Sequence, residues 1–283
     1  MNDEFWLRFV RTGKVEDYLE YKKHEKYMES TGTPSNENYN EWLGYKGTDN
    51  RESDRLVTLL TADYGILRAF VRRAKLVKSR TASATSLFSY ARFTLYKTRD
   101  AYSADDVAPI EVFFDLRKDI ESLALAQYFA QLAFEMGAEG QPCEELLRLT
   151  LNSLHLLCTG KRKHAQIKAV FELRSACLGG YMPNILACEN CGTYETDLMY
   201  FDTLEGNIYC ENCPRAGAYP VPVNVIKAVR FICLTPPEKI FSFSLSDENL
   251  KILGDISEKY ILSRVQRKLS ALEFYKGLKN ENK

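Results

Sequence analysis

The sequence lacks an apolar run long enough to cross a membrane, and its first residues lack the apolar stretch of a signal peptide. A spanning helix needs about 18 or more apolar residues in succession, and a signal peptide carries a shorter apolar core behind basic residues. We therefore expect a cytoplasmic protein without a membrane partner.

The chain also has no net charge and few histidines. Its 38 basic and 38 acidic residues cancel, so we expect no general attraction to nucleic acid or membranes, only binding through local patches. The three histidines are His24, His155 and His164. Metalloprotease, deaminase, Walker A and dinucleotide-binding motifs are absent from the sequence. We predict that the protein is not an enzyme; the rival class, a metal-dependent hydrolase, would need an open coordination position.

The chain divides into segments of different composition. Residues 1–28 space their aromatic residues as a short amphipathic helix does, and residues 29–41 are rich in Ser, Thr, Pro and Asn, as linkers are. Residues 42–114 alternate apolar and polar positions between turn residues, which predicts a small antiparallel sheet or barrel. Residues 115–283 form a predicted helical domain: periodicity indicates helices over about 115–183, residues 221–243 have a mixed pattern, and Ser246 is the predicted N-cap of a further helix. An insertion at about residues 184–217 interrupts that helical domain.

Four cysteines in this insertion form the pattern C-x2-C-x18-C-x2-C: Cys188, Cys191, Cys210 and Cys213. Two such knuckles supply four thiolates in tetrahedral geometry, which is typical of structural zinc and leaves no position open for water or substrate. We predict that Zn²⁺ stabilises an insertion too small to build its own core. Buried thiols or a redox pair are the alternatives.

The other four cysteines lie in or beside apolar segments, where a reduced cysteine behaves as a small core residue. We expect no disulfide among them. They are Cys143, Cys158, Cys177 and Cys233.

Two of the predicted strands combine cations with aromatic rings on one face. Residues 68–80 add six cations and no acid. Cations follow phosphates while rings accept unpaired bases, so this combination favours binding of single-stranded nucleic acid. The alternative is a solvated loop beside aromatic residues that the next domain covers. The four predicted strands are 56–61, 65–72, 89–98 and 107–114, and the second and third carry the combination. The candidate residues are Arg68, Phe70, Arg72, Arg73, Lys75, Lys78, Arg80, Tyr90, Arg92 and Tyr96.

A second basic run, Lys161, Arg162 and Lys163, begins the third predicted helix. A charge run in such a place is most often a solvated surface. The alternative is a binding place for the acidic peptide of a partner.

Six short motifs are spread over about residues 42–278: Glu52-Ser53-Asp54-Arg55-Leu56-Val57, Asp63-Tyr64-Gly65, Phe171-Glu172-Leu173-Arg174, Leu178-Gly179-Gly180-Tyr181-x-Pro183, Cys188-x-x-Cys191-Gly192 and Ser270-x-Leu272-Glu273-Phe274. With these motifs, the order of a basic barrel, a helical domain and an inserted pair of knuckles resembles the RecO family of bacterial recombination mediators.

Residues 1–28 contain two further motifs, Trp6-x-x-Phe9-x-x-Thr12-Gly13 and Asp17-Tyr18-Leu19-x-Tyr21-Lys22. This segment resembles YqzL-like proteins, whose function is unknown.

The RecO resemblance implies an α+β protein: an N-terminal OB-fold β-barrel followed by an α-helical domain that carries an inserted four-cysteine zinc-knuckle element. It implies a non-enzymatic protein of RecF-pathway repair that binds single- and double-stranded DNA and anneals complementary strands. The implied partners are RecR, the acidic C-terminal tail of single-strand-binding protein and, indirectly, RecA. The implied location is the cytoplasm, in association with the nucleoid. A zinc-stabilised protein adaptor and an RNA-binding OB-fold protein without mediator activity are the alternatives.

Overall fold

A computed structural model of the chain describes residues 54–75, 80–97, 102–213, 215–265 and 267–281. The predicted appendage, the linker and the start of the barrel lie outside the described residues, as do Lys78 and the side chain of Arg80. The described residues divide into two units. The first holds those up to Phe114 together with Ala138–Glu144, and the second holds the remainder.

The first unit is built on a four-stranded sheet. Its elements are β1 (Arg55–Thr61), β2 (Gly65–Val71), α1 (Arg80–Ala84), β3 (Ser89–Lys97) and β4 (Tyr102–Val112). The spatial order of the strands is β1-β2-β4-β3; the pair β2–β4 is parallel and the other two pairs are antiparallel. Within the described ranges β1 and β3 are the edges of an open sheet, so a closed barrel stays a prediction.

The predicted alternation along β2 is confirmed. Leu67, Ala69 and Val71 are buried, whereas Arg68 between them is exposed. Val71 packs in a small core with buried residues of α1, β4 and the turn after β2. The sequence pattern places the last strand too late: β4 begins at Tyr102, not at residue 107. Its first residues pair by backbone hydrogen bonds with β2 and β3, and such pairing does not require apolar side chains.

The motif Asp63-Tyr64-Gly65 lies at the turn between β1 and β2, where the backbone requires a glycine at position 65. Gly65 has φ +63°, and a Cβ there would lie 1.9 Å from the carbonyl oxygen of Ala138. The amide of Ile66 donates to that same carbonyl over 3.1 Å. Only glycine allows this approach, which joins the segment Ala138–Glu144 to the first unit.

The second unit is mainly helical. The helices are α2 (Ile120–Met136), α3 (Glu144–Thr159), α4 (His164–Leu178), α5 (Val223–Leu234), α6 (Asp247–Arg264) and α7 (Ser270–Glu281), with a 3-10 turn at Phe114–Lys118. Helix α4 packs against α2, α5 and α6, and α2 packs against α7. The mixed α+β architecture, with a sheet before the helices, is therefore confirmed.

The predicted cap Ser246 is confirmed, since its side chain accepts a hydrogen bond from the amide of Asn249 at the start of α6. In the described part of the chain, no helix combines the length and apolarity needed to cross a bilayer.

A charged network lies inside this helical core. The carboxylate of Glu172 accepts hydrogen bonds from Tyr128 (2.7 Å) and Ser257 (2.6 Å) and pairs with the ammonium of Lys168 at 2.7 Å. Lys168 also pairs with Glu258 at 2.9 Å. Burial raises the pKa of Glu172 more than Lys168 lowers it. The network links α2, α4 and α6, and it is satisfied by its own members.

Candidate metal centre and nucleic-acid interface

The four cysteines of the predicted zinc site lie together in the second unit. Their Sγ atoms are all within 4.8 Å of one another, and those of Cys191 and Cys210 are 3.6 Å apart. Tetrahedral zinc with Zn–S bonds of about 2.3 Å places its sulfurs about 3.8 Å apart. The donor set and its spacing therefore fit one metal ion.

Local backbone geometry forms the two knuckles. Gly192 has φ +71°, and its amide donates to the carbonyl of Cys188 over 2.9 Å. In the second knuckle the amide of Cys213 donates to the carbonyl of Cys210 over 3.0 Å. A small sheet beside the knuckles has the strands β5 (Leu198–Phe201), β6 (Ile208–Cys210) and β7 (Tyr219–Pro222). Their spatial order is β6-β5-β7, so Cys210 is the last residue of an edge strand.

The electrostatics of the cluster favour a cation. Hydrogen bonds from Thr193 lower the pKa of Cys191 to about 6. Hydrogen bonding with Cys191, burial and the negative charge of neighbouring sulfurs raise the pKa of Cys213 to about 12. The Cys191 thiol thus loses its proton easily, whereas the Cys213 thiol keeps its proton. A divalent ion would allow all four cysteines to be thiolates.

Arg230 of α5 holds the first knuckle in place, and sequence reasoning missed it. Its buried guanidinium donates to the carbonyls of Ile185 (2.7 Å), Leu186 (3.1 Å) and Tyr194 (2.6 Å). It also lies 4.2 Å from the centre of the Tyr194 ring and 3.4 Å from Glu195. Ile185 and Leu186 precede the first knuckle in sequence, and Tyr194 and Glu195 follow it, so Arg230 joins the two ends of this segment. The signal that could have found it is a single arginine within the apolar run of α5.

The predicted nucleic-acid residues on the strands share one side of the first sheet, opposite its core. We call this side the strand face: Arg68, Phe70, Arg72, Tyr90, Arg92 and Tyr96. Its three arginines and Tyr96 are exposed, whereas Phe70 and Tyr90 are half-buried. Strand register places Phe70 and Tyr96 on either side of Ser103. The guanidinium of Arg72 lies 3.5 Å from the hydroxyl of Tyr96, so cation and ring are adjacent.

The turn after β2 continues this surface. Arg73 and Lys75 are exposed, while Ala74 between them is fully buried and anchors the turn. Arg73 has φ +55°, and its amide donates to the carboxylate of Asp54 over 2.9 Å. The two exposed cations thus stand on an anchored turn beside Arg72.

Acidic side chains of β4 interrupt the strand face. Asp106 pairs in register with Thr94, and Glu111 pairs with Tyr90, so each carboxylate shares the face with β3. Asp106 is exposed, and Glu111 is half-buried. Because the sequence pattern starts this strand at residue 107, it does not place Asp106 on the face.

The second basic run is exposed but already has internal contacts. The guanidinium of Arg162 donates to the carbonyl of Phe241 over 2.9 Å. Lys163 precedes α4 and forms an ion pair with Asp247. The third member, Lys161, is exposed in the same loop.

Comparison with known proteins gives consistent matches along the chain. A family model described as Recombination protein O N terminal matches residues 46–113, and one described as Recombination protein O C terminal matches residues 117–273. A DNA repair protein RecO from Acetivibrio thermocellus is 33% identical over 235 residues, which cover 82% of this chain and 94% of the relative. Proteins of the same name from Alkaliphilus metalliredigens and Symbiobacterium thermophilum are 26% and 28% identical, with 80% and 81% of this chain covered.

Proposed function

The chain belongs to the RecO family of DNA repair proteins, and on this basis we propose that it is a DNA-binding recombination mediator of RecF-pathway repair. It anneals complementary single strands and, with RecR, assists the loading of RecA onto DNA coated by single-strand-binding protein. It works in the cytoplasm on the nucleoid. The role is not enzymatic, because it brings polymers and proteins together without making or breaking covalent bonds.

The strand face is the proposed contact surface for single- and double-stranded DNA. The observation that carries this assignment is the 3.5 Å approach of the Arg72 guanidinium to the Tyr96 hydroxyl. A cation that binds a phosphate here lies next to a ring on which an unpaired base can stack. The exposed turn with Arg73 and Lys75 extends the path for the phosphate backbone.

Annealing follows from the same arrangement. Two complementary strands repel each other through their phosphates, and neutralising part of that charge lets them approach. Contacts to phosphates leave the pairing edges of the bases free. A face with three arginines and three rings can therefore hold one strand mainly through its phosphates while a second strand pairs with the exposed bases.

Structural Zn²⁺ is the proposed ion of the cysteine cluster, held by the four sulfurs and positioned through Arg230. When bound, it supplies folding energy to the insertion. We assign it no part in DNA chemistry.

The basic run Lys161–Lys163 is the proposed contact for the acidic tail of single-strand-binding protein. The ion pair of Lys163 and Asp247 is exposed, with 61% and 84% of the side chains in contact with solvent. Exposed pairs contribute about 0–1 kcal/mol, so a tail carboxylate can replace Asp247 at little cost. RecR contact is proposed from family membership alone.

The DNA assignment is tested by replacing Arg72, Arg73 and Lys75 together by Ala. We expect weaker binding to labelled single strands of every sequence, and a plot of log affinity against log salt that is shallower by about 2. Fluorescence anisotropy at several salt concentrations measures both. The matched control replaces three exposed lysines of the second unit, Lys239, Lys251 and Lys268, and should leave the slope unchanged.

A strand-annealing assay with single-strand-binding protein present then tests the mediator role. The triple variant should anneal more slowly than the wild type and the control. Equal affinity and slope for the triple variant would remove the strand face from the proposal. Tight RNA binding without DNA annealing would instead favour the RNA-binding alternative.

A further inference from the structure

Two large apolar side chains beside the first knuckle are exposed. Leu186 has 58% of its surface in contact with solvent, and Tyr194 has 61%. One nitrogen of the Arg230 guanidinium donates to the carbonyls of both residues, over 3.1 and 2.6 Å, so the two residues lie next to each other on a fixed support. We call them the knuckle patch. Exposed apolar side chains that are held in place in this way are typical of protein–protein contact sites.

The polypeptide around the knuckle patch is acidic. Residues 184–213 contain six acids and no lysine, arginine or histidine. Cations from elsewhere in the second unit offset two of these acids, since Lys227 lies 2.8 Å from Glu195. In the same way, Arg215 lies 3.5 Å from Asp202. The other four acids are exposed. Such a surface repels the phosphates of a nucleic acid, so it does not suit DNA.

Two of the exposed acids, Glu189 and Asp197, lie three residues from the knuckle patch in sequence. The knuckle patch is therefore an apolar pair with acids close to it. In protein interfaces a few apolar contacts supply most of the binding energy, while opposite charges steer the partner and fix its orientation. The partner that fits is a protein surface that carries rings among cations.

The strand face has that chemistry. With the turn after β2, it presents five cations and three rings, against the two acids Asp106 and Glu111. We propose that the knuckle patch of one copy docks on the strand face of a second copy when no DNA is bound. The two surfaces differ, so the contact is head to tail, and further copies can add at either end. DNA and a second copy then compete for the strand face; this competition, unlike the docking itself, rests on the proposed function.

Sedimentation of the full-length, zinc-loaded protein tests the self-association. The monomer has a mass of 32.5 kDa, and at low salt the weight-average mass should rise above this value as the protein concentration rises. At about 1 M salt, where the Debye length is about 3 Å, the association constant should fall by about tenfold or more. A protein that is monomeric at every concentration overturns the proposal.

Charge reversal shows which surfaces meet. One variant carries Glu189→Lys and Asp197→Lys beside the knuckle patch, and the other carries Arg72→Glu and Arg92→Glu on the strand face. Each variant alone should be monomeric, because its two surfaces no longer carry opposite charges. An equimolar mixture should form a heterodimer, because the intact knuckle patch of one variant meets the intact strand face of the other. Zinc content and melting temperature confirm that both variants are folded. A mixture of folded variants that stays monomeric contradicts the docking, as does a single variant that still associates.

The apolar part of the contact is tested by Leu186→Ala, which should lower the association constant by about tenfold without a change in zinc content. Leu204→Ala is the matched control, because Leu204 is 70% exposed in the same insertion but lies outside the knuckle patch. Equal losses in the two variants would overturn the assignment of the knuckle patch.

A single-stranded oligonucleotide of about ten nucleotides, within the site size of one OB fold, tests the competition. Its binding should return the assembly to monomers. An assembly that persists with DNA bound would overturn the strand face as the docking surface. Absence of DNA binding would contradict the proposed function instead, while a heterodimer in the mixture of charge-reversed variants would still establish the docking.

Discussion

The two units use their aromatic side chains differently. The ten largest fully buried side chains of the described residues all lie in the second unit: Tyr128, Tyr209, Tyr260, Phe129, Phe171, Phe201, Leu116, Leu125, Leu132 and Ile167. Phe129 and Phe171 stack there with ring centres 4.2 Å apart. In the first unit, Phe70, Tyr90 and Tyr96 stay half-buried or exposed on the strand face.

The rings of the two units therefore differ in how much they contribute to the stability of the fold. A buried aromatic ring contributes to the free energy of folding through the large area that it removes from water. An exposed ring contributes little to folding but can stack on a base. The helical unit therefore holds most of the large buried side chains, and the sheet leaves the rings of the strand face partly or largely in contact with solvent.

Removing the metal site should give the largest effect, and it should destabilise the second unit without weakening the strand face. Cys210 is fully buried, and Cys210→Ser takes away one thiolate ligand. Metal binding in small zinc modules supplies about 10–16 kcal/mol of folding free energy, so we expect loss of zinc and loss of amide protection across the insertion. Elemental analysis and hydrogen exchange measure these effects, and DNA affinity of the strand face should change little.

The matched control for this variant is Cys158→Ser, a half-buried cysteine on α3. It should retain full zinc occupancy and protection. A Cys210→Ser protein with unchanged amide protection would show that the insertion folds without its ion.

The next test breaks the buried network of the helical unit. Glu172→Ala leaves the Lys168 ammonium with Glu258 as its one remaining carboxylate in the network. Removing one partner of a buried pair costs about 3–5 kcal/mol of unfolding free energy. The control, Asp115→Ala, breaks the exposed pair with Lys118 and should cost at most about 1 kcal/mol. Urea denaturation measures the unfolding free energy of both variants. An equal loss in the two variants would contradict the prediction that the buried pair matters more for stability than the exposed pair.

Sequence patterns predicted the parts of the fold that local chemistry decides. The alternation along β2, the cap at Ser246 and the grouping of the four cysteines each follow from a few neighbouring residues. The helix α5 was missed, because its valines and isoleucines favour strands and tertiary packing overrides that preference. The start of β4 was missed for a similar reason, since backbone pairing with two neighbours brings a polar stretch into the sheet.

The candidate sites were predictable in composition but not in their supporting contacts. Spacing identified the four cysteines, whereas Arg230, from a helix distant in sequence, contacts the backbone on either side of the first knuckle. Likewise the cations of β2 were evident, whereas the acids that lie among them on the strand face depend on strand order and register. Long-range contacts of this kind leave no periodic signal in the chain.

The mildest test sharpens the strand face itself. Asp106 is exposed and lies opposite Thr94, between Arg92 and Tyr96 along β3. Its carboxylate repels a phosphate that approaches these two side chains, by about 1 kcal/mol or less at a solvated surface. Asp106→Asn should therefore bind single-stranded DNA about two- to fivefold more tightly at low salt, and added salt should shrink the gain through screening. Asp255→Asn, an exposed acid of α6, is the matched control; an equal gain there would mean that net charge, and not the strand face, sets the affinity.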